Sequence, residues 1–423
     1  MAPVMQVETP PRPWRWPTRI AFRFGALVAA LLILPFPLGY IPGTMWLGRV
    51  LREPWYWIVS WFATDVLGIA DPATAPTGSG DTTWHFVQLL VIAIVAGIGT
   101  LLWSILDRKR LHYRRLGGAL VVLLRYYLAY FMLMYGISKV FKAQFPDLGP
   151  PRLDDRVGDV SPMGLLWTFM GYSTPYSVFA GACEMLGGFL LLWRRTLTLG
   201  ALLITIVMTN VVVLNMSYDV PVKLFSLELL AMALVIAAPG CRRILGAALG
   251  HPTPELPPRP RASLAVERIR LVAKLVMLGT FAATLWQWSM YAQDRTPAPN
   301  ELHGIWVVDS YLADGREHPP LTTDGERWRK LLVSEQWVAL RTMTDERRYL
   351  PGAEVDEATR TIRVPLPDSV RHDLWHYTFT DRDHLVIAGP YRGQNLYVTF
   401  AREPAPLLVT RAFHWIQEQP FNR

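Results

Sequence analysis

Long apolar runs dominate the first 290 positions of the chain, and a period-two alternation governs the remainder. A crossing helix needs about 20 mostly apolar residues to span about 30 Å of hydrocarbon. Seven stretches meet that length: 20–40, 84–106, 117–138, 174–193, 196–216, 222–239 and 268–290. The first run ends in PFPLGYIPG without an A-x-A-like cleavage site, so it reads as a retained anchor. After it, WLGRVLREPWYWIVSWFATDVLGI mixes aromatics with scattered charges, which predicts a helix lying in the membrane interface. The following PATAPTGSGD reads as a plain loop.

Beyond Gln293, with TPAPN as a linker, the period changes. Ile362, Val364 and Leu366, then Leu385 and Ile387, then Leu396, Val398 and Phe400 alternate as half-buried strands do. DG turns at 314–315 and 324–325, with PG and RG further on, separate these runs. Roughly six to eight short strands in about 105 residues predict a small antiparallel barrel or meander. The fold class is therefore an α-helical polytopic membrane protein of about seven spans with a C-terminal β domain. The expected organisation is a cytoplasmic N-terminus at 1–19, then two spans with an outside interfacial helix at 20–116. A four-span core at 117–240, a cytoplasmic loop at 241–267, a seventh span at 268–292 and an outside β domain at 293–423 follow.

Composition agrees with this class: 51% of the 423 residues are hydrophobic, 18% are charged, and 17 are tryptophan. Residues 293–423 carry 16 Lys and Arg against 19 Asp and Glu, a balance of −3. The basic excess therefore belongs to the membrane half, which points to topology and away from nucleic acid. Basic clusters at 12–23, 107–115, 194–195 and 242–270 fall on alternate loops. That pattern predicts a cytoplasmic N-terminus and, with an odd number of spans, a C-terminal domain outside.

Polar residues inside the spans are the candidate chemistry. Arg125 and Glu184 each lie roughly 12–14 Å from the cytoplasmic face at about 1.5 Å per residue, which predicts that they pair. Glu184 shares a helical face with Ala180, Gly181, Gly187 and Gly188, so it faces a neighbouring helix. Arg125 and Lys139 share a face of the preceding span. The stretch MTNVVVLNMSYDVPVKLFSLELL at 208–230 adds Asn210, Asn215, Asp219, Lys223 and Glu228. Together these predict a polar column from mid-membrane to the outer surface. An ionisable residue within a membrane is a functional candidate by default. The alternative is a structural lock, with rim lysines reaching for water.

LLRYYLAYFMLMYGISK, then GACEMLGGFLLLWRRTLTLGA, then PVKLFSLELL resemble the DoxX family of bacterial four-span membrane proteins. The matching positions are Arg125, Gly136 and Lys139, then Glu184, Gly187 and Gly188, then Lys223 and Glu228. The resemblance covers roughly 117–240 and implies a bacterial cytoplasmic (inner) membrane. It implies kinship with the membrane subunit of thiosulfate:quinone oxidoreductases and with proteins linked to thiol and oxidant stress. The chain departs from that pattern by three additional spans, an outside domain, and the lack of a cysteine placed for outer-face sulfur chemistry.

Other motifs carry less. Cys183 and Cys241 form no CxxC pair and read as small buried hydrophobes. On a strand His372 and His376 stand about 13 Å apart, too far to share a metal, and with His384 they read as structural. Gly304 and Trp306 have the Gly-x-Trp spacing of a lipocalin-like first strand. The aromatic tail LLVTRAFHWIQEQPFNR is expected to pack on the β domain or on the outer membrane surface. No P-loop, G-x-G-x-x-G, G-x-S-x-G, H-E-x-x-H or CxxCH occurs, so any catalysis falls to the buried charges. Three functions fit: binding or passage of a lipid or other small amphiphile, a membrane subunit of an oxidoreductase with quinone as cofactor, or an assembly factor for an extracytoplasmic protein partner.

Overall fold

Backbone polar groups find no partner in hydrocarbon, so the apolar half of the chain folds into helices that satisfy them internally. A computed structural model describes residues 13–41, 43–70, 72, 77–252, 264–294, 300–366, 372–411 and 413–422. Most of the TPAPN linker lies outside them. The helices are α1 (Trp16–Ile33), α2 (Met45–Trp61), α3 (Thr83–Leu106), α4 (Arg114–Val140), the short α5 (Pro150–Leu153) and α6 (Pro162–Tyr172). Then come α7 (Thr174–Leu191), α8 (Leu197–Ser217), α9 (Lys223–Ala248), α10 (Leu264–Asp294) and, after the sheet, α11 (Leu407–Thr410).

Among the described residues six helices are long and apolar enough to cross a membrane: α1, α3, α4, α8, α9 and the Arg270–Met290 part of α10. The predicted span at 174–193 is helical as α7 but falls outside that set. Its polar first turn, its glycines and Glu184 dilute its hydropathy. The predicted interfacial stretch is helical as α2 and exposes Trp46, Trp57 and Trp61.

The chain divides into two compact units, Met1–Gln144 with Ser173–Trp288, and Phe145–Tyr172 with Ser289–Arg423. In the first, α4 packs on α7, α7 on α8, and α8 on α9. Glycines set the closest of these contacts. A Cβ on Gly136 would stand 2.7 Å from the Gly181 carbonyl oxygen, and one on Gly181 would stand 2.6 Å from that of Gly136. The backbones of α4 and α7 therefore touch, as small residues permit in a membrane bundle. Gly188 continues the contact against the Ala129 carbonyl and Leu133, and Gly187 does the same against Ile204 of α8. At the other end of the unit, buried Arg23 ties α1 to α3. Its guanidinium donates to the Tyr113 hydroxyl (2.9 Å), Ser104 Oγ (2.7 Å) and the Asp107 carbonyl (3.0 Å).

The second unit holds a ten-stranded antiparallel sheet. Its strands are β1 (Gly304–Ala313), β2 (Arg316–Glu317), β3 (Trp328–Val333), β4 (Val338–Thr342), β5 (Arg347–Tyr349), β6 (Glu354–Asp356), β7 (Thr361–Pro365), β8 (His372–Phe379), β9 (His384–Tyr391) and β10 (Gln394–Arg402). Each of β4 to β10 pairs with its predecessor except at one break between β5 and β6, while β2 pairs with β1 and β1 bridges β3 and β10. The result is an up-and-down ring left open, a half-barrel. The alternation predicted from sequence points Leu385, Ile387, Leu396, Val398 and Phe400 inward. Trp306, Trp328 and Trp375 fill the interior, as side chains do in small barrels. Arg402 lies 4.2 Å over the Trp306 ring, closing that end with the Gly-x-Trp strand.

Residues 145–172 join this unit rather than the helices. Leu153 packs on Ile305, Leu332 and Ala339 on the outer face of the sheet. Lys330 binds Asp154 at 2.8 Å, Arg341 binds both Asp154 and Asp155, and Arg347 binds Asp155. Of the two seats expected for the tail, the β domain is not taken by Phe413 or Trp415. Phe413 and Trp415 are 77% and 90% exposed and stack on each other at 5.0 Å, while Arg411 covers Phe421.

If backbone contact between α4 and α7 holds the bundle, Gly181→Val destabilises it by about 1–3 kcal/mol through overpacking. Gly97→Ala, where no atom lies within 4 Å of the new Cβ, leaves stability the same or slightly higher. Thermal unfolding of the solubilised protein checks this, and equal midpoints for the two variants would contradict the packing described.

Candidate functional site

Lys139 and Glu184 each lie three residues after one of the touching glycines, Gly136 and Gly181. A helical side chain covers the turn before its own Cα, so both side chains reach across the same close contact. Lys139 Nζ lies 2.8 Å from Glu184 Oε2, and the residues are 7% and 2% exposed. The ammonium also sits 5.5 Å over the Tyr135 ring.

The predicted partner of Glu184 was Arg125, and that pairing is not found. Arg125 is fourteen residues before Lys139, about 21 Å along α4. There it meets the far end of α7, where its guanidinium donates to the Leu192 carbonyl at 2.7 Å. Carbonyls at a helix C-terminus lack intrahelical donors and attract cations, which accounts for the placement.

The predicted column is divided. Asn210 is exposed on α8, on the same face as exposed Ile206 and Val213, so it does not join the interior. Asn215 is 6% exposed, and its side-chain nitrogen has no hydrogen-bond partner among the described residues. Asp219, at φ 50°, and Lys223 pair at 2.8 Å at the exposed turn between α8 and α9. Glu228 is half-buried on α9 and has no hydrogen bond or ion pair among the described residues.

Two features of this region were missed in the sequence. Asp81 accepts from the backbone N–H groups of Lys223 (2.7 Å) and Leu224 (3.0 Å), and so caps α9 from a distant loop. The adjacent Gly80 N–H donates to the Pro221 carbonyl at 2.7 Å. Nothing in the loop composition marks that role. The second feature is an aromatic stripe. Tyr127, Phe131 and Tyr135 recur every four residues on α4, a spacing visible in the sequence. Phe131 packs on Tyr127 (4.7 Å), Tyr130 (5.3 Å) and Phe225 of α9 (5.0 Å), and Tyr40 packs on Tyr130 (5.1 Å). The hydroxyls of Tyr40, Tyr127, Tyr130 and Tyr135 have no hydrogen-bond partner among the described residues. On α9, Glu228 lies three residues after Phe225, whose ring packs on Phe131 (5.0 Å) and Tyr135 (6.3 Å).

In the second unit two open clefts border β6. One of about 450 Å³ is lined by Asn300, Glu354, Asp356 and Arg363, and one of about 320 Å³ by Ser334, Glu335 and Trp337. His372 and His376 lie on β8, and His384 pairs with Asp381 at 2.8 Å.

The capping contact has a measurable weight. Asp81→Ala is expected to cost about 1 kcal/mol by releasing the first N–H groups of α9, and Asp81→Asn to cost less, because its one amide oxygen keeps one of the two contacts. Denaturant or thermal titration checks this; equal losses for Ala and Asn would assign the effect to charge rather than capping.

The DoxX family model matches residues 120–215, which span α4, α7 and α8 and end before Lys223 and Glu228. The uncharacterized protein YwoB of Bacillus subtilis (strain 168) is 34% identical over 122 residues, covering 29% of this chain and 77% of YwoB. No solved structure matches the chain. On these similarities, carried by the helices that hold Lys139 and Glu184, the chain belongs to the DoxX family.

Proposed function

We propose that the protein binds or passes a lipid or other small amphiphile through the polar, tyrosine-lined interior of its helical unit. The observation that carries this reading is a pair of unsatisfied groups on α8 and α9, in the same helical unit as the completed Lys139–Glu184 contact. The Asn215 amide and the Glu228 carboxylate lack protein partners in a setting where unpaired polar groups cost free energy. A ligand with a polar head and an apolar tail supplies what they lack.

The proposed setting is a bacterial cytoplasmic membrane, with the N-terminus inside and the C-terminal domain outside. Residues 145–172 and 289–423 share one compact unit, which supports an even number of crossings between them. That count is met when α7 crosses together with α8, α9 and α10. The alternation of basic loops supports the same arrangement.

A second reading has its own observation. The free Asn215 amide donor suits a quinone carbonyl, as a quinone-linked oxidoreductase subunit requires. Solvent extraction and mass spectrometry of gently purified protein distinguish the two. An amphiphile held by the wild type and lost from the Glu184→Gln/Glu228→Gln variant is the expected result. A quinone in that place favours the second reading. Bulk phospholipid alone in both samples would sink ligand binding and turn attention to an assembly role for the outside domain.

A further inference from the structure

We infer that the ligand of the helical interior is an amphiphile with a positively charged ammonium headgroup, seated at Glu228 beside Tyr127 and the rings around it. This rests on the amphiphile reading above and adds the charge of the head. The lysines of the interior already have carboxylate partners, and Arg125, whose Nε has no hydrogen-bond partner among the described residues, lies about 21 Å along α4 from Lys139. Lys139 is bound to Glu184 (2.8 Å), Arg125 to the Leu192 carbonyl (2.7 Å), and Lys223 to Asp219 (2.8 Å) with Asp81 at 3.9 Å. Glu228 is left as a carboxylate without a counter-ion among the described residues. A charge so placed is costly until a cation or a proton meets it.

The surroundings select the kind of cation. Phe36 lies edge-on to Tyr127 at 5.2 Å, and Tyr127, Phe131 and Phe225 follow in a continuous series of ring contacts. Aromatic faces attract alkylated ammonium groups, which shed water more readily than metal ions and present an apolar surface. The same stripe already holds one ammonium, since Lys139 Nζ stands 5.5 Å over Tyr135. The four tyrosine hydroxyls without partners suit a head that brings its own polar atoms.

The test uses the full chain in neutral-lipid nanodiscs and three probes below their micellar concentrations: octyltrimethylammonium, octyl sulfate and octyl glucoside. Equilibrium dialysis reads their binding, with tetramethylammonium as competitor. The expected result is octyltrimethylammonium bound at least about tenfold more tightly than octyl glucoside, with octyl sulfate weakest. Glu228→Gln should abolish that preference, Glu228→Asp should keep part of it, and Tyr127→Leu should reduce it. Equal binding of the cationic and neutral probes by the wild type overturns the ammonium head and leaves the amphiphile reading standing. Binding of none of the three overturns both. Tetramethylammonium binding as tightly as octyltrimethylammonium overturns the amphiphile in favour of a water-soluble cation. Wild-type preference that survives in Glu228→Gln removes the head from Glu228 and overturns the assignment.

Discussion

The Lys139–Glu184 ion pair is the constraint on which the helical unit depends. Two charges taken out of water gain from each other only when they are held in close, fixed geometry. The glycine contact between α4 and α7 supplies that geometry. It brings the backbones together one turn before each charge and leaves room for both side chains to meet. Sliding one helix by a turn, about 5.4 Å, would separate the charges and bury each alone. The pair therefore selects one antiparallel register among those that apolar packing alone would permit. With that register set, Arg125 falls at the C-terminal end of α7, and Tyr135 falls beside the pair.

The second unit uses charge in a different way. Its interior is closed by tryptophans, and its ion pairs sit on the outer face, where Lys330, Arg341 and Arg347 hold Asp154 and Asp155. The Asp154 and Asp155 side chains are only 5% and 10% exposed, and several contacts to the two carboxylates offset their desolvation as a network rather than an isolated pair. Apolar packing of Leu153 adds the part that salt does not screen. The segment joining α4 to α7 is thus built into the β unit, while Lys139 lies just before that segment and Glu184 just beyond it.

Much of this was legible in the sequence because its signals are local. Apolar length located the helices, period-two alternation located β7, β9 and β10, and the small residues around Glu184 marked a face that packs on another helix. Choosing the partner of Glu184 required more. Depth from the nearest membrane face matches Arg125 to Glu184, but the contact between Gly136 and Gly181 decides the register, and it favours Lys139. Asn210 shared the depth of its neighbours but not their face, a distinction of helical rotation that depth ignores. The Asp81 cap and the binding of Asp154 and Asp155 join positions far apart in the chain. Single-sequence periodicity carries no information about such contacts.

The most direct test of the account is a double-mutant cycle on the ion pair. Lys139→Met and Glu184→Met are measured singly and together for unfolding free energy in the same lipid–detergent mixture. Each single change should cost about 3–5 kcal/mol, because it leaves one buried charge alone, and the double variant should recover most of that loss. The coupling identifies the pair as mutual partners in one register. Strictly additive losses, or a coupling found between Arg125 and Glu184 instead, would contradict it.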